Sequence, residues 1–117
     1  MKLHDLSAHD MLSAYRTRAL SPVEVTRAVL SHIEAWEPHL HATYLLRPEL
    51  ALAQAQASEA RWLKGEPCGV LDGVPVTIKD NIATQGDPTP LARRRLRWCL
   101  RWQTRHRLRA CVRPGRW

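Results

Sequence analysis

The sequence predicts an α/β fold in which helices precede a single core strand, and three observations carry this prediction. Two early segments begin with serine-based helix-start signals followed by apolar residues at helical spacing. A later segment, 73–78, has the alternating apolar pattern of a strand. The composition then changes sharply. We therefore expect an α/β arrangement over 1–91 and an irregular, disordered tail over 92–117.

A first helix is predicted to begin at Ser7. Ser7 and Asp10 fit the S-x-x-[DE] pattern, in which the hydroxyl and the carboxylate satisfy free backbone N–H groups. The apolar residues that follow predict one buried face, made of Ala8, Met11, Leu12, Tyr15 and Ala19.

A second helix is predicted from a stronger start signal. Ser21 stands at the N-cap, Pro22 at the first helical position and Glu24 at the third. We expect this helix to end near Trp36, because Pro38 follows shortly after it.

Two histidines come next, and the second half of 39–46 is compatible with a short strand. On a strand His39 and His41 would share one face, a spacing that metal sites use. No carboxylate or cysteine lies nearby in sequence to complete a site, so we interpret both as surface residues.

A third helix is predicted from Pro48 to about Lys64, where Gly65 ends it. Its small residues suggest a stripe suited to close packing on another element, made of Ala53, Ala57 and Ala60.

The strand predicted over 73–78 carries a lysine at its end. Val74, Val76 and Ile78 alternate, and Lys79 falls on the opposite face from Ile78, where the apolar run gives way to Asp80. One interpretation is a lysine that reaches solvent or pairs with Asp80. The other is a buried amine whose pKa falls through desolvation, which would make it a base near neutral pH.

Charge divides the chain into two unlike parts. Residues 1–92 hold 8 Lys and Arg and all 11 Asp and Glu, a formal charge of −3, whereas residues 93–117 hold 10 Arg and no acidic residue. GC-rich DNA read out of frame produces such a mixture of Arg, Trp and Cys. We therefore interpret 92–117 as a frameshifted reading.

The alternative is a basic tail that contacts phosphates and stacks Trp on bases. We do not expect nucleic acid as a partner, because the acidic body would repel it and no reading motif is present.

Other classes are disfavoured by simple features. No uninterrupted apolar run approaches the ~20 residues that a membrane span needs, and the N-terminus has no apolar segment typical of a secretory signal. Three cysteines without C-x-x-C spacing predict neither a disulfide framework nor a zinc site. We expect a cytoplasmic protein without cofactor, metal or membrane contact.

The run 73–81, G-V-P-V-T-I-K-D-N, resembles the first motif of the amidase signature family, commonly G-[VI]-P-[VI]-x-[VIL]-K-D-N. A glycine and a Pro-Thr pair often follow in the family, and here Gly86 and residues 88–89 match them. Residues 20–25, L-S-P-V-E-V, are similar to the start of the family's second helix. The resemblance covers 3–91 in the expected order. It implies a large α/β domain with a mixed sheet surrounded by helices, of which this chain supplies the N-terminal helices and the first core strand.

The resemblance also implies a chemistry. Family members hydrolyse or transfer amide groups with a Ser–cis-Ser–Lys triad, and the lysine of that triad corresponds to Lys79. Every serine of this chain precedes Lys79 and none lies in a Gly-rich context, so both triad serines are missing and we expect the chain alone to be inactive.

The substrate expected for the complete parent is a small-molecule amide. The catalytic chain of tRNA-dependent amidotransferases belongs to the same family, and the sequence up to residue 91 does not separate that chain from a stand-alone amidase. The oligomeric state is not predicted.

Overall fold

The computed structural model describes residues 2–87 of the chain, and its regular elements are helical. Residues up to Pro75 form one compact unit, and residues from Val76 onward belong to a second. The predicted tail, 92–117, lies outside the described residues. The first unit contains a short 3₁₀ helix, Leu3–Asp5, and three α-helices: α1 (Ala8–Thr17), α2 (Pro22–Leu40) and α3 (Pro48–Lys64).

Local capping explains where α1 and α2 begin, as the sequence predicts. The Ser7 hydroxyl accepts a hydrogen bond from the backbone N–H of Asp10 at 3.2 Å. At the start of α2 the Ser21 hydroxyl accepts from the Glu24 N–H at 3.2 Å, and the Glu24 carboxylate accepts from the Ser21 N–H at 2.8 Å. This reciprocal pair is a complete capping box, so both predicted starts are confirmed.

The end of α2 differs from the prediction. The helix continues through Pro38 to Leu40, whereas the sequence placed its end near Trp36. A proline inside a helix removes one N–H donor and weakens the helix without forbidding it. The predicted end was wrong because the proline signal is local, whereas the contacts that close this helix lie beyond it.

Those closing contacts involve His41, Glu37 and Thr43. His41 takes the left-handed conformation, with φ 47°, and its N–H donates to the Glu37 carbonyl at 2.9 Å. The Glu37 carboxylate accepts from the Thr43 N–H at 3.0 Å, and this hydrogen bond lowers the pKa of Glu37. His39 therefore lies in the last turn of α2 and His41 caps it, so the two do not share the face of a strand.

The third helix has the predicted bounds but a different buried face. It runs from Pro48 to Lys64, and Gly65 ends it with φ +75°. Ala55 and Ser58 are buried, whereas the three alanines of the predicted stripe are exposed: Ala53, Ala57 and Ala60. The stripe prediction was wrong because small size does not determine which face of a helix meets its neighbour.

The core of the first unit is built from α1 and α2. Met11, Tyr15 and Val25 are buried in it. Partly buried apolar side chains from the other segments pack against them: Leu6, Leu12, Leu20, Val29, Trp62 and Val74. Val74 brings the first apolar residue of the predicted strand into the core of the helices.

The predicted strand over 73–78 is not formed within residues 2–87, where no strand occurs. A strand is stabilised by hydrogen bonds to a neighbouring strand, and no described segment supplies one. Val76 and Ile78 remain exposed. The α/β class therefore stays a prediction, and the described part is helical.

Membrane spans and metal-binding clusters are both absent from residues 2–87. No helix there is long and apolar enough to cross a membrane. Within the same range, no group of three or more His, Cys, Asp or Glu side chains is placed to hold a metal ion.

Candidate functional site

Lys79, the lysine predicted to act in catalysis, lies in the second unit and is exposed. Its carbonyl accepts a hydrogen bond from the Ile82 N–H at 3.0 Å, so the chain turns immediately after the apolar run. No ion pair joins Lys79 to Asp80 among the described contacts, although the sequence left that pairing open. The buried environment of the second interpretation is likewise not formed by residues 2–87. The amine of Lys79 is thus presented to solvent at the end of an apolar segment.

A second turn follows at 84–87. The Thr84 hydroxyl donates to the Asp87 carboxylate at 2.9 Å, and the Asp87 N–H donates to the Thr84 carbonyl at 3.3 Å. Gly86 has φ +84°, a conformation that side chains with a Cβ rarely adopt. The glycine after the lysine motif therefore serves the turn geometry.

The start of the motif is anchored in the first unit by Asp72, whose side chain is only 3% exposed. Its two carboxylate oxygens accept from both arms of Arg61: Oδ2 from Nε at 2.8 Å and Oδ1 from Nη2 at 2.6 Å. Oδ2 also accepts from the Cys68 N–H at 3.0 Å. We call Asp72, Arg61 and Cys68 the Asp72 clamp. It closes the loop between α3 and the motif by charge-assisted, bidentate hydrogen bonds.

The charge of Asp72 is maintained by this clamp. Burial alone raises the pKa of the Asp72 carboxyl, but the hydrogen bonds from Arg61 and from the Cys68 N–H outweigh it and hold the pKa well below its usual range. The Ser58 hydroxyl lies near enough to lower that pKa further, although its geometry falls outside that of a hydrogen bond. The carboxylate is therefore ionised at neutral pH.

The backbone of the motif start is fixed by two aromatic residues. The Trp62 indole N–H donates to the Asp72 carbonyl at 3.1 Å, and the Tyr15 hydroxyl donates to the Gly73 carbonyl at 3.2 Å. The rings of Tyr15 and Trp62 lie 5.9 Å apart, centroid to centroid. Burial raises the pKa of Tyr15 to about 12, so its hydroxyl remains a donor at any ordinary pH.

Gly73 is required at its position for two reasons. Its φ is +84°, and a Cβ added there would lie 2.7 Å from Ser58 Oγ and 2.8 Å from Pro22 Cγ. The first glycine of the motif therefore lets the chain pass close against α2 and α3, and Val74 then enters the core.

The sequence predicts Lys79 as a site residue and marks the motif that begins at Gly73, but it does not predict the residues that hold the motif in place. Asp72 followed by glycine resembles an ordinary turn signal. Arg61 resembles a cation placed to complement the C-terminal end of a helix. The two are 11 residues apart, and no periodic pattern links them.

The serines of the first unit have structural roles or lie on exposed helix surface. Ser7 and Ser21 cap helices, and Ser58 is only 2% exposed. Ser13 and Ser31 are exposed on α1 and α2. The described residues thus offer an exposed amine, an anchored loop and no activated hydroxyl.

Comparison with known proteins gives one family. The model of the family described as Amidase matches residues 24–98, well over half of the chain and seven residues into the predicted tail. No solved structure matches.

Several curated relatives share one name, the A subunit of glutamyl-tRNA(Gln) amidotransferase. The relative from Nostoc punctiforme is 49% identical over 74 residues, covering 63% of this chain and 15% of the relative. That of Chloroflexus aggregans is 42% identical over 88 residues, covering 75% of this chain and 18% of the relative. The mitochondrial protein of the same name from Aedes aegypti is 40% identical over 96 residues, covering 82% of this chain and 18% of the relative. The chain therefore spans less than a fifth of the length of these relatives.

Proposed function

The chain belongs to the amidase family, and on this premise we propose that it is the lysine-bearing part of an enzyme that acts on carbon–nitrogen (amide) bonds. In this proposal Lys79 is the base. The observation that carries the proposal is the run 73–81, which matches the family's lysine motif residue by residue and lies inside the matched range.

The proposed chemistry is that of an activated nucleophile. A serine hydroxyl attacks the amide carbonyl, and its proton passes through a second serine to the neutral amine of Lys79. Backbone N–H groups near the nucleophile stabilise the oxyanion. The protonated Lys79 returns this proton, through the second serine, to the leaving nitrogen. Water then attacks the acyl-serine, which releases the acid and restores the serine hydroxyl. Both serines belong to parts of the domain that this chain does not include, so we propose that the chain alone is inactive.

Between the two kinds of parent enzyme, the relatives favour the amidotransferase. Three relatives from distant organisms, 40–49% identical to this chain, carry the name of the glutamyl-tRNA(Gln) amidotransferase A subunit. We therefore propose that the parent is an amidotransferase A subunit, and that the nitrogen released from the amide is the group passed on to glutamyl-tRNA(Gln). The alternative is a stand-alone amidase acting on a small-molecule amide.

A chimera tests the role of Lys79. The aligned stretch of the Nostoc punctiforme relative is replaced by the corresponding residues of this chain, and amide formation on glutamyl-tRNA(Gln) is measured together with hydrolysis of a simple aryl amide. We expect activity in the parent chimera and a loss of roughly 10²–10⁴-fold in Lys79→Ala. Lys79→Arg should lose as much, because arginine stays protonated and cannot accept the proton.

The matched control is Lys64→Ala, which removes an exposed lysine at the end of α3. Its activity should equal that of the parent chimera. Full activity in Lys79→Ala would refute the role of the lysine. Turnover by the original chain on its own would contradict its proposed inactivity.

A further inference from the structure

The region around the connection between α2 and α3 exposes large apolar side chains. Five of them, between 39% and 64% exposed, are Trp36, Leu40, Leu45, Leu46 and Leu50. We call these five residues the connection patch. Isolated exposed apolar residues are normal on a protein surface, but several within a short segment mark a surface that another chain segment covers.

The core of the first unit does not use this region. The N-terminal half of α2 buries Val23, Val25 and Thr26, whereas no residue after Thr26 in this helix is buried. Exposed apolar side chains in the second half of a helix this long are stabilised when they pack against a neighbour. His4 of the 3₁₀ helix stacks on His32 in this half, with ring centroids 3.8 Å apart, but Trp36 and Leu40 stay exposed.

The second unit also exposes apolar side chains that no described residue covers. Val76, Ile78 and Ile82 are 70%, 44% and 46% exposed. Val76 and Ile78 have the alternation of a strand but form no ladder within residues 2–87. A segment with this pattern requires a neighbouring strand and a covering layer.

The relatives indicate what covers both surfaces. They align with this chain at 40–49% identity over only 15–18% of their own length. Proteins that share this stretch therefore carry more than four times as much chain besides it. We propose that the connection patch and the segment 76–82 are docking surfaces for the remaining part of an amidase-family domain, and that this chain binds that part when it is supplied as a separate polypeptide. This inference rests on family membership and not on the chemistry proposed for Lys79.

A binding experiment with the full chain tests the proposal. The tagged chain is co-expressed with the Nostoc punctiforme relative from which the aligned stretch has been deleted. We expect a one-to-one complex by size-exclusion chromatography with light scattering. Leu46→Asp should weaken the complex at least about tenfold, because it places a charge in the covered surface. The control Ser13→Asp adds the same charge to the exposed face of α1 and should bind as the parent does.

Hydrogen exchange then locates the covered surfaces. In the complex, amides of 41–50 and 76–82 should exchange at least about tenfold more slowly than in the isolated chain. If the shortened relative stays insoluble even in co-expression, the same comparison is made between the isolated chain and the covalent chimera. Protection of both segments supports the proposal, and absence of protection overturns it.

Two other results would also overturn it. One is a homodimer of this chain that Leu46→Asp abolishes while the shortened relative does not co-purify, since a second copy would then be the occupant. The other is binding of Leu46→Asp with the affinity of the parent. Lys79→Ala should form the complex normally, so failure of docking and failure of the proposed chemistry give different results.

Discussion

Replacing Asp72 by asparagine is the sharpest test of how the lysine motif is anchored. Asparagine keeps the shape of the side chain but presents one acceptor oxygen where the carboxylate presents two. If its oxygen receives Arg61 Nε and the Cys68 N–H, its amide group faces Arg61 Nη2, donor against donor. At least one hydrogen bond is lost, and the remaining ones lose the charge of the acceptor, although the Arg61 donor stays charged.

The expected magnitude follows from this geometry. Hydrogen bonds to a charged group contribute roughly 1.5–3 kcal/mol and neutral ones roughly 0.5–1.5 kcal/mol. The side chain of Arg61 is 34% exposed, so water recovers part of the loss on that side. We therefore expect the opening of the clamp to become easier by about 2–3 kcal/mol, which corresponds to roughly 30- to 150-fold faster exchange of the protected protons.

The measurement is hydrogen exchange by NMR at two protons that report on the clamp. These are the indole N–H of Trp62, which donates to the Asp72 carbonyl, and the backbone N–H of Cys68, which donates to the carboxylate. Local opening is the relevant quantity because it is defined whether or not the whole chain unfolds cooperatively.

The control is Glu66→Gln, which neutralises an exposed carboxylate in the same loop. Exchange at both protons should match that of the unaltered chain. An Asp72→Asn variant whose exchange rates change by less than about threefold would show that the ion pair does not hold the loop, because even one lost neutral hydrogen bond predicts about that much.

Three further predictions concern the same unit. The pKa of Asp72 is lowered in the folded state, so its contribution to stability is present at neutral pH, begins to be lost as the pH falls below about 4, the usual range for aspartate, and is fully lost only below the lowered pKa. The protection of the Trp62 indole N–H, relative to its intrinsic exchange rate at each pH, should therefore fall in this range, and a constant protection would contradict this. Gly73→Ala should destabilise the fold by about 2–4 kcal/mol, because the residue has φ +84° and an added Cβ would make two contacts under 3 Å. Gly65→Ala, with φ +75° and open space around it, should cost only about 1 kcal/mol. Both are measured by urea unfolding followed by helical circular dichroism, and equal destabilisation by the two variants would refute the role of the close approach. Ser21→Ala should lower the stability of α2 by about 1 kcal/mol through loss of its cap. The measurement is hydrogen exchange of the backbone amides in the first turn of α2, which should become faster, whereas the amides of α1 should exchange at an unchanged rate.

Helix starts could be predicted because the contacts that define them lie within a few residues. The capping box of α2 joins Ser21 to Glu24, and the start of α3 follows from Pro48. The end of α2 could not be predicted, since Pro38 is tolerated and the helix closes only where Glu37 binds Thr43. The lysine motif could be identified from its residue types. Its anchoring could not be predicted, because Asp72 and Arg61 each resemble a common local signal.

The sequence by itself determined the three helices, the identity of the lysine motif and the family. Each of these depends on residues that are adjacent or regularly spaced along the chain. Only the tertiary structure decided that α3 buries Ala55 and Ser58 instead of its alanine stripe, that Gly73 must approach α2 and α3 closely, and that an ion pair holds Asp72. It also decided that 73–78 forms no strand within the described residues. The reason is physical: a helix makes its hydrogen bonds within itself, whereas a strand, a close approach and a buried ion pair depend on partners that the local sequence does not specify.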